Sequence, residues 1–235
     1  MTTEIQLAKH TRREFRQRMQ SGELQAAILP VAAIEQHLEH LAMEHDWRSV
    51  NEVANAVAER MRPRVLVAQG LVAGISEHHM RHPGTLTLKP GSFLAVVCDL
   101  IDSLKRAGFR NILVLNGHGG NTDPCRGIWG QFRQLTEVNL HFLPYWEVLG
   151  DGARDELVTR SIPGHAQEFE TAFALARFPE NVRTEMWQDQ SDPTPALAKA
   201  EAGNILFEQV VAGVKLYLEE MIDGRRPADI PPFFP

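Results

Sequence analysis

The sequence predicts an α/β fold, a three-layer α/β/α sandwich around a mostly parallel sheet. Three observations carry this. Apolar runs of strand length alternate with amphipathic stretches of helix length. No internal repeat or low-complexity tract interrupts the alternation. Residues able to do chemistry gather just after the apolar runs, where open α/β sheets place their sites. The 235 residues suit a single domain, 1–235, with a Pro-rich C-terminal tail, and are enough to bury a full core.

The elements follow in order. Residues 9–21 read as a polar helix ending near Gly22. Residues 26–32 (AAILPVA) read as a buried strand, with Pro30 placing a break near its end. Residues 49–61 form a helix whose Val50, Val53, Ala54, Val57, Ala58 and Met61 share one face, with Ser49 as a candidate cap. Residues 64–69 are a second strand. Residues 91–107 are an amphipathic helix closed by Gly108. Residues 111–115 (NILVL) make a third strand, 122–136 a helix and 138–144 a fourth strand. A polar, irregular stretch runs from 150 to 164. Helices follow over about 166–177 and 195–221, and the tail RRPADIPPFFP is expected to be extended.

Composition excludes several classes. A net charge of −6 with no basic block argues against nucleic acid as a partner. No apolar run reaches the roughly 20 residues that a membrane helix needs. The charged N-terminus lacks the apolar core of a secretory signal, and Cys98 and Cys125 form no CxxC pair. A cytoplasmic protein acting on a small molecule is the expectation.

Seven of the ten histidines lie between His37 and His118, mixed with Glu and Asp. In AIEQHLEHLAMEHD, Glu35 and His37 are two apart and point the same way along an extended segment. Asp46 lies within reach of a loop. Imidazole plus carboxylate suits Zn, Mn or Fe rather than Ca. Glu39, His40, Glu44 and His45 add more donors than one centre can use. A solvated polar loop would explain this segment alone about as well. NGHGGN (116–121) follows the third strand and offers His118 in a tight turn, without a phosphate-loop signature. GHAQEFET (164–171) offers His165, Glu168 and Glu170 at a helix start, where a capping carboxylate is the plain alternative. GISEHHMRHPGTLTL (74–88) adds Ser76, Glu77, His78, His79 and His82 before a turn and a short strand, as candidate pocket residues.

Taken together, EQHxxHLxxxxD, EHHxxHPGTL, NGHGGN and HAxExET resemble, in this order, the motifs of the creatininase (creatinine amidohydrolase) family. The resemblance runs from about Leu29 to Thr171. It implies a three-layer α/β/α fold, a binuclear metal hydrolase and a compact homo-oligomer, often a hexamer. It also implies two divalent ions per subunit, Zn, Mn or Fe. Glu35 and His118 resemble ligands of one metal, His37 resembles a ligand of the other, and Asp46 resembles the carboxylate that bridges them. In creatininase itself NGHYEN supplies a further glutamate where this chain has Gly120. The NGHGGN branch takes that ligand from HAxExET, which implies Glu170, with Glu168 as the alternative. His165 resembles the catalytic histidine, and Ser76 and His78 resemble substrate-pocket positions. Gly120, and LEHLAMEHD in place of GPHLPLGTD, set the chain apart from creatininase itself. Trp146 and Trp187 are candidates for an aromatic clasp. The implied reaction is attack of a metal-activated water on a small polar cyclic substrate, with His165 passing a proton to the leaving group. Cyclic amide C–N hydrolysis is the leading expectation. C–C hydrolysis of a cyclic diketone, such as a diketo-inositol, is the alternative. A noncatalytic metal-binding assembly protein is the reading from another class.

Overall fold

The computed structural model describes residues 4–136 and 138–228. Its centre is a parallel sheet of β1 (Ala26–Val31), β2 (Val65–Val67), β3 (Asn111–Asn116) and β4 (Asn139–Pro144), in the order β2-β1-β3-β4. The helices are α1 (Arg12–Gln20), α2 (His45–Arg60), α3 (Pro90–Arg106), α4 (Gly119–Thr136), α5 (Glu168–Arg177) and α6 (Ala200–Ile222).

The apolar strands are apolar on both faces because helices cover both. Ala26 and Ile28, Val65 and Val67, and Leu113 and Leu115 turn toward α2, α5 and α6. Their alternates, Ala27, Leu29 and Val31, Leu66, and Ile112 and Val114, turn toward α3 and α4, with Phe15 and Met19 of α1 at the edge. This period-two division makes three layers and two cores from one sheet. Burying each Leu, Ile or Val fully is worth about 1.5–3 kcal/mol, so both faces contribute to stability.

Several boundaries differ from expectation for identifiable reasons. Pro30 does not break β1: it pairs in register with Leu115, and its carbonyl accepts the Leu71 N–H at 3.0 Å. The N–H it lacks would face the same side as that carbonyl, where β2 has already ended at Val67. Ser49 is not a cap. The helix begins four residues earlier, and Ser49 is buried in its second turn, 3.3 Å from His45 Nε2. Helix α4 likewise takes in Gly119–Asn121, and α6 starts at Ala200 after a separate 3-10 turn, Thr194–Leu197. The expected short strand after the turn at 83–85 is reduced to isolated bridges, Ile34 to Leu86 and Gly74 to Thr87. Most of the expected extended tail, from 229 on, lies outside the described residues.

The N-terminal segment lies along β2. Gln6 bridges Val67, and the Val67 N–H reaches the Ile5 carbonyl at 2.8 Å. Arg18, 2% exposed, holds the segment there. Its guanidinium donates to the Glu4 carbonyl (2.7 Å) and the Pro63 carbonyl (2.8 Å) and pairs with Glu23. A buried Arg is tolerable only with such full satisfaction.

Candidate metal centre

Five acidic and imidazole side chains converge beyond the C-terminal ends of the central strands, as the topology dictates. Glu35 and His37 follow β1, and Asp46 stands in the first turn of α2. His118 follows β3, and Glu170 stands in the first turn of α5. The helix N-termini favour the two carboxylates they carry. Relative exposures are 2% for Glu35, 0% for His37, 3% for Asp46, 2% for His118 and 6% for Glu170. Such burial of charge is costly without compensation.

Asp46 is the hub. Its Oδ1 lies 3.1 Å from His37 Nε2, and its Oδ2 lies 2.9 Å from His118 Nδ1. Glu35 Oε1 is 3.4 Å from His118 Nδ1, and Glu170 Oε2 is 3.8 Å from His37 Nε2. Each imidazole is anchored through its far nitrogen. His37 Nδ1 faces the Glu35 carbonyl at 3.0 Å, and His118 Nε2 faces the Ile75 carbonyl at 3.0 Å. Those carbonyls require an N–H donor, so the nitrogens turned toward Asp46 are the ones free to bind a cation.

The electrostatics point the same way. Burial pushes Glu170 up to about 8 and raises Glu35, against the pull of His37 and His118 respectively. Burial works against a charged His37, yet Asp46 and Glu170 beside it raise it to about 10. His118 is raised for the same reason by Asp46 and Glu35. Burial opposes the Asp46 carboxylate as well, but His37 and His118 hold it well below the usual range. The pocket therefore demands positive charge. Two oxygens add to this: Glu35 Oε2 and Asp46 Oδ2 are buried without a hydrogen-bond partner, the close His118 contact being poorly aligned for one. Unpartnered carboxylate oxygens beside imidazole nitrogens fit a divalent metal of the Zn or Mn type. By distance, Glu35–His37–Asp46 and His37–His165–Glu170 are groups whose ligand atoms lie within 4.8 Å of one another.

The remaining candidates separate cleanly. Glu168 turns away and accepts the Val158 and Thr159 N–H groups at 2.9 and 2.7 Å. His40 is buried between Thr171 Oγ1 (2.8 Å) and Gln190 Oε1 (3.1 Å). Glu44 accepts from Asn181 at 2.8 Å, Glu39 is exposed, and His45 packs under His37 with ring centroids 5.0 Å apart. A cavity of about 260 Å³ opens over the centre, lined by His78, His79, His165, Trp146 and Pro163 together with the acidic residues. Ser76 does not line it: it is fully buried behind His118, 3.3 Å from Nε2. Trp146 lines it and Trp187 does not. Burial and neighbouring histidines lower His165 to about 3 and His79 to about 4, so both rings are neutral at pH 7.

Gly120 owes its lack of a side chain to packing. A Cβ there would stand 2.3 Å from the Ile75 carbonyl oxygen and 2.5 Å from His118 Nε2. The residue that sequence reasoning passed over is Gln36, whose amide touches two of the cavity histidines. Its signal was only its place between Glu35 and His37.

Residues 8–211 match the family described as Creatininase: creatinine amidohydrolase. The chain belongs to the creatininase family. Among curated relatives, the creatinine amidohydrolase of Pseudomonas putida is 28% identical, covering 91% of this chain and 96% of its own. The 3-dehydro-scyllo-inosose hydrolase of Thermotoga maritima is 27% identical over 85% of this chain and 65% of its own. The mycofactocin precursor peptide peptidase of Mycobacterium ulcerans is 28% identical over 67% and 60%. A crystal structure of creatinine amidohydrolase (creatininase) superposes with TM-score 0.80 at 27% identity, covering 99% of this chain and 100% of that one. A manganese creatininase gives 0.76 at 26% identity, over 92% and 98%, and a mutant creatininase of Zn–Zn type gives 0.79 at 27%, over 94% and 99%. Creatininase-family membership thus agrees with the α/β architecture and the motif order, and the relatives span several substrates.

Proposed function

We propose that the protein is a metal-dependent hydrolase of a small polar cyclic amide, built on a two-metal centre. The observation that carries this is the division of Asp46, which turns one oxygen to His37 and the other to His118. Glu35 and His118 with Asp46 Oδ2 would hold one ion, and His37 and Glu170 with Asp46 Oδ1 the other. Divalent ions at such a centre, when bound, make water a nucleophile near neutral pH and polarise a substrate carbonyl.

The chain's own residues do the rest. The cavity of about 260 Å³ is of a size for a small ring. Trp146 supplies a flat apolar wall, and His78, at the rim, supplies a polar one. His165 lines the open cavity with its Nδ1 3.6 Å from Glu35 Oε1. We assign it the proton handled at the departing nitrogen.

The imidazoles of His78, His79 and His165 around the cavity also suit a hydroxyl-rich ring. With a relative named as a 3-dehydro-scyllo-inosose hydrolase, C–C cleavage of a cyclic diketone is our second reading, with the same attack on a carbonyl. The convergence of Glu35, His37, Asp46, His118 and Glu170 speaks against a noncatalytic role.

The test is to purify the protein, measure bound metal, and assay panels of cyclic amides and cyclic ketones with the wild type and the His118→Ala and Asp46→Ala variants. Metal loss with loss of hydrolysis is expected. Unchanged metal content and turnover in both variants would overturn the assignment.

A further inference from the structure

We infer that Gln36 is a positioning residue that fixes where the ring protons of His165 and His79 sit. The inference deepens the metal-centre reading and rests on it for its consequence, though not for its geometry. Gln36 stands between two proposed ligands in the sequence, and its side chain reaches the cavity histidines. Its Oε1 accepts the Leu38 N–H at 3.0 Å, with Leu38 in the left-handed region at φ 55°. That contact orients the amide, because the reversed amide would set two donors against each other. Nε2 therefore presents its hydrogens outward. Two ring nitrogens receive them, Nδ1 of His79 and Nε2 of His165, each at 2.8 Å. The rings stack with centroids 4.3 Å apart and planes 20° apart.

A ring nitrogen that accepts an amide hydrogen carries no proton of its own. The proton of His165 is thus on Nδ1 and that of His79 on Nε2. These are the nitrogens that face Glu35 Oε1, at 3.6 and 3.7 Å. By distance alone Glu35, His79 and His165 could hold a metal ion. With protons pointing at the carboxylate they do not. Gln36 thereby sets His165 and His79 apart, as hydrogen-bond donors, from His37 and His118, whose nitrogens toward Asp46 the Glu35 and Ile75 carbonyls leave bare. A proton that His165 takes up enters at Nε2, where it displaces the Gln36 amide hydrogen, and the ring can then give one up from Nδ1.

The test is ¹⁵N NMR of the histidine side chains in the full-length, zinc-loaded protein, with resonances assigned by their loss in His165→Gln and His79→Gln. The wild type should show protonated His165 Nδ1 and His79 Nε2, and bare nitrogens toward Gln36. Gln36→Glu replaces the donor by an acceptor and should reverse both rings. A bare or zinc-shifted His165 Nδ1 or His79 Nε2 in the wild type would overturn the inference, and that spectrum decides even if Gln36→Glu fails to fold. Failure to bind zinc would count against the metal reading instead. The ring protons can still be read in the zinc-free protein.

Discussion

The Ile75 carbonyl stands 3.0 Å from His118 Nε2 and so decides which nitrogen of that ring faces Asp46. The approach is possible because Gly120 has no Cβ to fill the space. Gly120→Ala should push the carbonyl or the ring aside. Loss of a tautomer-fixing partner typically costs 10–100-fold in metal affinity, and a loss of that order is expected in zinc competition titrations. Gly120→Glu should weaken binding as well, rather than add a ligand, for want of room.

Glu168 and Glu170 stand two residues apart and should behave oppositely. Glu170→Gln should lower bound metal while leaving the metal-free protein's stability near that of the wild type, because a carboxyl pushed up to about 8 is already mostly neutral at pH 7 and the amide keeps an oxygen for the Ala166 N–H. Glu168→Gln should leave metal content unchanged but destabilise the metal-free fold by about 1–3 kcal/mol, the cost of disturbing buried hydrogen bonds to a charged group. Parallel metal analysis and urea unfolding separate the two.

Metal binding should expel protons. Without metal, His37 is held up to about 10 and Glu170 at about 8, so at pH 7.5 both are mostly protonated, and each must lose its proton to bind a cation. Zinc titration of the apoprotein in buffers of different ionisation enthalpy should report net proton release. Metal affinity should fall as pH falls, because protons compete for the same atoms. Proton uptake, or a heat independent of buffer, would contradict the charge state described for the pocket.

The thiols should be poor nucleophiles. Burial pushes Cys125 up to about 12, and burial with neighbouring acidic groups raises Cys98, which is half-buried. Iodoacetamide at pH 8, followed by mass spectrometry, should leave Cys125 unmodified until the protein is unfolded, with slow labelling of Cys98.

The sequence made the sheet legible because each strand is a short apolar run bounded by polar residues. Helix starts were less legible where the first turn serves the site. His45 and Asp46 are polar, so apolar periodicity saw α2 only from Val50 and took Ser49 for its cap. The same concealment affects α4, whose first residues are the glycines of NGHGGN. At the centre, Glu35, His37, Asp46 and His118 were legible as donors at plausible spacing. The choice between Glu168 and Glu170 was not, because both occupy one helical turn. Only the N–H groups of Val158 and Thr159, a loop away, show that Glu168 is already committed. Gln36 was silent for a different reason: an amide binds no metal, and its role depends on two rings brought near by folding.

Residues 4–6 lie along the outer side of β2, with Arg18 clamping them in place. An uncovered strand at the margin of a sheet is a template for pairing with other chains. The N-terminal segment therefore acts as a guard rail on that margin. Shortening the chain past Ile5, or replacing Arg18 with Ala, would bare the backbone of Val67 to other molecules, and self-association would follow from damage far from the acidic centre.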